Sequence, residues 1–151
     1  MIKKVAFLGL GVMGFPMAGW LRQSGFEVAV FNRTTEKAER WCDKYGGTWT
    51  TRASDAAVEA EAVFTCLGDD PDLREVVLEQ GVIDVMSPGS LFVDHTTASA
   101  DMAREIAAAG ESRGIHCLDA PVSGGQAGAE KGQLSINYNE IEVAEYMKNE
   151  I

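Results

Sequence analysis

Three glycines with the spacing G-x-G-x-x-G constrain this chain more than any other feature. Gly9, Gly11 and Gly14 follow an apolar segment at 3–8 that is typical of a short buried strand, and they open a segment with helical spacing. Alone, the spacing would indicate only a tight turn, but between a strand and a helix it predicts a dinucleotide site. Gly9 allows the turn, Gly11 lets a pyrophosphate approach the backbone, and Gly14 permits close helix–strand packing. The same predicted cofactor loop also contains Leu10, Val12 and Met13.

Short apolar strands alternate with helices along the chain. The pattern predicts strands at 3–8, 27–31, 62–67, 90–94 and 115–122, and helices at 15–25, 35–47, 55–61, 71–81 and 100–114. This alternation indicates an α/β fold of the Rossmann type, with a doubly wound and mostly parallel sheet. We therefore predict one dinucleotide-binding domain at 1–136. After a further strand at 133–138, residues 137–151 are predicted to form an atypical helical extension, with one apolar face made of Ile141, Ala144, Met147 and Ile151.

Composition narrows the classes of partner. The 151 residues suit one domain, and a net charge of -10 argues against nucleic acid or an anionic membrane as the main partner. It leaves room for a local basic pocket. Cys42, Cys66 and Cys117 form no C-x-x-C pair and lie in apolar stretches, so we expect small buried thiols in a reducing, cytoplasmic compartment. No apolar run is long enough to span a membrane, and two histidines are too few for a His-rich metal site.

The end of the second strand bears on the choice of dinucleotide. A dinucleotide fingerprint usually has an acid there, which holds the ribose 2′-hydroxyl. This chain has Asn32, Arg33 and Thr34 instead. A neutral amide, a planar fork of cationic donors and a hydroxyl suit the 2′-phosphate of NADP. The alternative is that Arg33 is a solvated loop residue and that Thr34 or Thr35 only caps the next helix. We predict NADP as the cofactor.

The segment 7–25, FLGLGVMGFPMAGWLRQSG, resembles the signature of the 3-hydroxyisobutyrate dehydrogenase family, also called β-hydroxyacid dehydrogenases. The 6-phosphogluconate dehydrogenases are longer relatives. The similarity includes the glycine loop, then Met17 and Ala18, then Gly25. Trp20 departs from the pattern, since the family often has Asn there. Because that position should lie on the helix, we expect little effect on the cofactor.

Two further segments extend the resemblance, TCLGDDPDLREV and VDHTTAS. In each segment, the polar residues that would contact the cofactor could instead have a purely structural role. Asp70 and Asp72 could serve only to cap a helix and complement its dipole, and Thr96 and Thr97 could serve only to cap the helix that follows them. Thr96 and Thr97 would otherwise lie at the nicotinamide ribose. The cofactor contacts that the resemblance implies are made by Leu67, Gly68, Asp72 and Thr97.

The stretch DAPVSGGQAGAEKGQL is similar to the substrate-binding stretch of the family. The resemblance implies that Ser123, Gly124 and Gly125 offer a hydroxyl and backbone N–H groups to a substrate carboxylate. A short glycine-rich nest is physically suited to an anion. Read alone, the same three residues would indicate a flexible turn. The implied substrate is a small 3-hydroxy acid or semialdehyde, oxidised or reduced by hydride transfer.

The family also has a helical second domain, which carries a lysine that acts as general acid or base. None of the six lysines matches that role, and Lys131 is more typical of a solvated loop. We therefore assign no catalytic residue and expect little activity from these 151 residues alone. Two interpretations remain open: the NADP-binding domain of an oxidoreductase, or a non-catalytic NADP-binding module. In both, we expect a homo-oligomer, most simply a dimer.

Overall fold

The computed structural model describes residues 2–136. Within them, six parallel strands form one sheet in the order β3-β2-β1-β4-β5-β6. This is the doubly wound order of dinucleotide-binding folds, so the predicted fold class is confirmed. The strands are β1 Lys4–Leu8, β2 Glu27–Phe31, β3 Thr48–Trp49, β4 Ala62–Thr65, β5 Leu91–Asp94 and β6 His116–Asp119.

Helices cover both faces of the sheet. They are α1 Gly14–Gln23, α2 Thr35–Tyr45, α3 Ala53–Ala57, α4 Asp70–Leu73, α5 Val82–Val85, α6 Ala100–Glu111 and α7 Gly125–Glu130. The helix predicted at 71–81 is present over 70–79, but it is not α-helical throughout and it ends earlier than predicted. The chain forms α4, then a π-helical segment Arg74–Glu79, and then turns at Gly81 with a φ of 78° before α5. None of the helices in the described residues is long and apolar enough to cross a membrane.

The carboxyl-terminal part of the described chain differs from the prediction. The strand expected at 115–122 ends at Asp119, and a separate strand β7 follows at Val122–Ser123. Pro121 has no N–H for a strand ladder, which accounts for the break. β7 pairs antiparallel with β8, Ser135–Ile136, in a second small sheet. The predicted strand at 133–138 therefore lies outside the main sheet in its described part, and the apolar face predicted beyond it lies outside the described residues.

Two apolar clusters hold the sheet between its helices. Alternating residues of one strand point to opposite faces, so Ala6 and Leu8 pack in one cluster while Val5 and Phe7 pack in the other. β4 and β5 are buried along their whole length, as expected for parallel strands covered on both sides. The three cysteines are free thiols packed against these clusters, but they are partly rather than fully buried. Within residues 2–136, both faces of the sheet are therefore covered by apolar side chains.

Candidate cofactor-binding site

A cavity of about 320 Å³ opens at the carboxyl ends of β1, β2 and β4. Here β1 lies between β2 and β4, so successive crossovers run in opposite directions from it. Such a switch point is where open parallel sheets bind their ligands. A second cavity of about 460 Å³ lies at the opposite edge, where Lys4, Glu27 and Thr48 begin their strands. The position of the first cavity, rather than its size, identifies it as the candidate site.

The glycine loop forms one wall of this cavity, and its three glycines have different surroundings. A Cβ on Gly9, whose φ is 103°, would lie 2.3 Å from the carbonyl oxygen of Cys66. A Cβ on Gly14 would lie 1.9 Å from the carbonyl oxygen of Gly9. Gly11 is exposed, and a Cβ there would meet no atom within 4 Å. Gly9 and Gly14 are therefore needed for packing, whereas Gly11 keeps space open in front of the loop.

The loop can accept an anion at the start of α1. Gly11, Val12 and Met13 line the cavity, and their N–H groups meet no acceptor among residues 2–136. Free N–H groups at the amino end of a helix, together with the helix dipole, favour a phosphate. The residues present at the loop are therefore suited to the pyrophosphate of a dinucleotide. Leu10 is buried behind the loop rather than in the cavity.

Asn32 fastens the loop to the end of β2. Its Oδ1 accepts a hydrogen bond from the Leu10 N–H at 2.9 Å, and its Nδ2 donates to the Thr34 carbonyl at 3.0 Å. Asn32 lines the cavity, but both ends of its amide are thus bonded within the chain. Thr34 does not line the cavity and occupies the N-cap position of α2 without a side-chain capping bond. The Asn32 amide therefore holds the glycine loop against the end of β2. The sequence alone did not predict this role.

Arg33 follows Asn32 in the chain and lines the same cavity. Its Nη2 lies 3.0 Å from Asp72 Oδ1 and 2.9 Å from Glu75 Oε2, while 62% of the side chain is exposed. Arg33 is thus a solvated loop residue, as in the alternative interpretation, that also forms two ion pairs. The hydrogen bond that Arg33 donates to Asp72, together with the charges of both acids, raises the pKa of Arg33. Lys37, in the first turn of α2, lines the same cavity, and no carboxylate of the described residues lies within ion-pairing distance of it. Lys37 was not predicted as a site residue. Its position, one helical turn after Arg33, was the signal that could have indicated it.

A buried polar cluster supports the β4 side of the cavity. Asp94, at the end of β5, accepts hydrogen bonds through Oδ1 from the Thr65 hydroxyl at 2.8 Å and the Thr96 N–H at 2.9 Å. The Thr96 hydroxyl then accepts from the Leu67 N–H at 2.9 Å. Burial raises the pKa of Asp94, whose Oδ2 has no hydrogen-bond partner in the described chain. Leu67 and Gly68 line the cavity, so this cluster fixes part of its wall.

The helix-capping alternative was wrong for Asp70, Asp72, Thr96 and Thr97, but Asp70 and Asp72 do lie in the first turn of α4, where acidic side chains complement the helix dipole. Asp69 caps α4, with its Oδ1 3.1 Å from the Asp72 N–H, and Ser99 caps α6 in the same way at 3.1 Å from the Met102 N–H. Asp70 instead accepts from the N–H and the hydroxyl of Ser99. Thr97 is exposed and does not line the cavity.

The predicted substrate loop lies apart from the cavity lining. Ser123 ends β7, and Gly124 and Gly125 begin α7 with φ values of 126° and 63°. None of the three lines the cofactor cavity. Trp20 connects this region to α1, because its indole N–H donates to the Ala129 carbonyl at 2.9 Å. Trp20 therefore positions α7, a role the sequence analysis did not foresee.

Comparisons with known proteins show the family to which this fold belongs. Residues 4–138 match the family model described as the NAD binding domain of 6-phosphogluconate dehydrogenase. An uncharacterized oxidoreductase of Shewanella frigidimarina is 59% identical over 134 residues, which is 88% of this chain and 46% of that protein.

Two solved structures are also similar. Mycobacterium tuberculosis 3-hydroxyisobutyrate dehydrogenase with L-serine is 35% identical with a TM-score of 0.89, over 97% of this chain and 50% of that one. Psf3 in complex with NADP+ and 2-OPP is 28% identical with a TM-score of 0.84, over 96% and 52%. The chain thus spans about half the length of the relatives it matches. It belongs to the 3-hydroxyisobutyrate dehydrogenase family, through the NAD(P)-binding domain that this family shares with 6-phosphogluconate dehydrogenase.

Proposed function

We propose that the chain is the NADP-binding domain of an oxidoreductase that acts on a 3-hydroxy acid or semialdehyde by hydride transfer. The observation that carries the choice of NADP is the pair of cations, Arg33 and Lys37, on the cavity wall where an acid would select NAD. The oxidoreductase chemistry is supported by the names of its relatives, and NADP also by the similar structure that holds NADP+. The substrate itself is part of the proposal.

The residues of the chain would act by binding and orienting. When bound, the nicotinamide supplies the hydride exchange. The N–H groups of Gly11, Val12 and Met13 would hold the pyrophosphate, within the loop that Gly9, Leu10 and Gly14 shape. Arg33, Thr34 and Lys37 would surround the 2′-phosphate. Leu67, Gly68 and Thr97 would lie along the nicotinamide half. Ser123, Gly124 and Gly125 would bind the substrate carboxylate. Turnover of short 3-hydroxy acids and aldehydes distinguishes this function from that of a binding module without catalysis.

Arg33→Ala should weaken NADP binding about tenfold, or about 1.4 kcal/mol, and leave NAD binding nearly unchanged. The value lies at the lower end for a bond to a charged group because the Arg33 side chain is 62% exposed. Titration of both cofactors gives the two dissociation constants. Arg40→Ala, an exposed arginine in α2 that does not line the cavity, is the matched control. Equal affinity of the unaltered chain for NADP and NAD, or tighter NAD binding, contradicts the proposal.

Self-association is a separate proposal, based on the apolar face predicted for 141–151. We take 1–136 as the dinucleotide-binding domain and 137–151 as a helical extension that pairs with a second copy. Light scattering at micromolar concentration should then report twice the 16.3 kDa mass of the chain. A mass of one chain rejects the dimer.

The three free thiols support the proposal that the protein works in a reducing compartment such as the cytoplasm.

A further inference from the structure

Arg33 is ion-paired with two carboxylates, one of which, that of Asp72, lines the same cavity as Arg33. Its Nη2 lies 3.0 Å from Asp72 Oδ1 and 2.9 Å from Glu75 Oε2. Arg33 follows β2, whereas Asp72 belongs to α4 and Glu75 to the π-helical segment. The ion pairs therefore join two parts of the chain at the place where Arg33 and Asp72 both line the cavity. The guanidinium proposed for the 2′-phosphate already has anionic partners.

The carboxylates of Asp72 and Glu75 disfavour the binding of NADP but not that of NAD. A 2′-phosphate carries about two negative charges, so it must displace the carboxylates or lie beside them, where like charges repel. Both acids engage the two N–H donors of Nη2, so a phosphate bound by the remaining donors on Nη1 and Nε would lie next to two carboxylates. The 2′-hydroxyl of NAD is neutral and can donate a hydrogen bond to a carboxylate. Asp72 and Glu75 therefore penalise NADP but do not penalise NAD.

The ion pairs are also weak enough to exchange partners. The side chains of Arg33, Asp72 and Glu75 are 62%, 34% and 48% exposed. Ion pairs this exposed contribute little to stability, because water screens the attraction and the long side chains lose freedom in forming them. They can therefore open for a ligand and close again while the fold stays intact.

We propose that Asp72 and Glu75 limit the preference for NADP by competing with its 2′-phosphate for Arg33, which lowers the affinity for NADP relative to NAD. This inference rests on the proposed function, since it takes Arg33 as the ligand of the 2′-phosphate. It gives Asp72 a role through Arg33, in place of the direct cofactor contact that the family resemblance implies.

The test combines Asp72→Asn and Glu75→Gln in the 151-residue chain, because both substitutions keep the side-chain size and remove the charge. Dissociation constants for NADP and NAD are measured by titration at low salt. We expect NADP to bind ~5- to 20-fold more tightly, the combined size of two exposed ion pairs. NAD should bind equally well or more weakly. The gain for NADP should shrink as added salt screens the charges.

Two controls isolate the part played by Arg33. Glu79→Gln removes the same charge from the same π-helical segment, at an exposed side chain with no ion pair to Arg33, and it should leave the ratio of affinities unchanged. Adding the double substitution to an Arg33→Ala chain should lose most of the gain, because no guanidinium remains to be released. Thermal unfolding of every variant verifies that it folds.

Three results would overturn the inference: no gain in NADP affinity, an equal gain for NAD, or the full gain in the Arg33→Ala chain. The proposed function is judged separately, from the two dissociation constants of the unaltered chain. Preference of that chain for NAD overturns the proposed function. A rise in NADP affinity relative to NAD that depends on Arg33 supports the inference in either case.

Discussion

Gly11→Val should abolish cofactor binding and leave the fold intact. Gly11 is exposed on the cavity wall, its φ is not positive, and an added Cβ meets no protein atom within 4 Å. The branched side chain would instead occupy the space through which a pyrophosphate reaches the loop N–H groups. We expect the dissociation constants of NADP and NAD to rise at least ~100-fold, or ~2.7 kcal/mol. Titration and thermal unfolding on the same sample measure both effects.

Gly11→Ala is the matched control for this substitution. Its single methyl group intrudes less, so cofactor binding should weaken by a smaller factor than in Gly11→Val. The unfolding temperature of both variants should stay close to that of the unaltered chain. Normal cofactor affinity in Gly11→Val would show that the loop does not face the ligand, and it would remove the basis for the cofactor site.

Gly14→Ala should instead lower the stability of the fold strongly, even in the absence of cofactor. Gly14 is buried at the start of α1, and a Cβ there would lie 1.9 Å from the Gly9 carbonyl oxygen and 3.0 Å from its carbon. The neighbour is backbone, so the strand and the helix must move apart. Overpacking a rigid site costs about 1–3 kcal/mol, and we expect at least ~3 kcal/mol here.

The direction of this effect is informative, because alanine normally stabilises a helix by about 1 kcal/mol relative to glycine. Thermal unfolding without cofactor should show a fall of roughly 10 °C for a chain of this size. Gly11→Ala again serves as the control, three residues away in the same loop and without a clash. A Gly14→Ala chain as stable as its parent would mean that helix and strand do not pack as closely as described.

Local sequence patterns were sufficient for most of the fold. Buried strands, amphipathic helices and the glycine loop are set by residues close together in the chain, so their order and the parallel sheet could be predicted. β3 and β7 could not, because each has only two residues and is defined by its partner strand. The π-helical segment was also missed, since periodicity does not separate it from an α-helix.

The sequence by itself determined which residue types stand at the candidate site, a glycine loop between a strand and a helix and a cation in place of an acid. From these it predicted a pyrophosphate site. Only the tertiary structure decided what each side chain contacts. Asn32 bonds Leu10, 22 residues away, and Arg33 pairs with Asp72 and Glu75, 39 and 42 residues away. These partners meet because parallel strands bring their carboxyl ends to one edge of the sheet. Spacing along the chain contains no signal for such contacts, so the sequence predicted a cationic site but not the acids that compete for it.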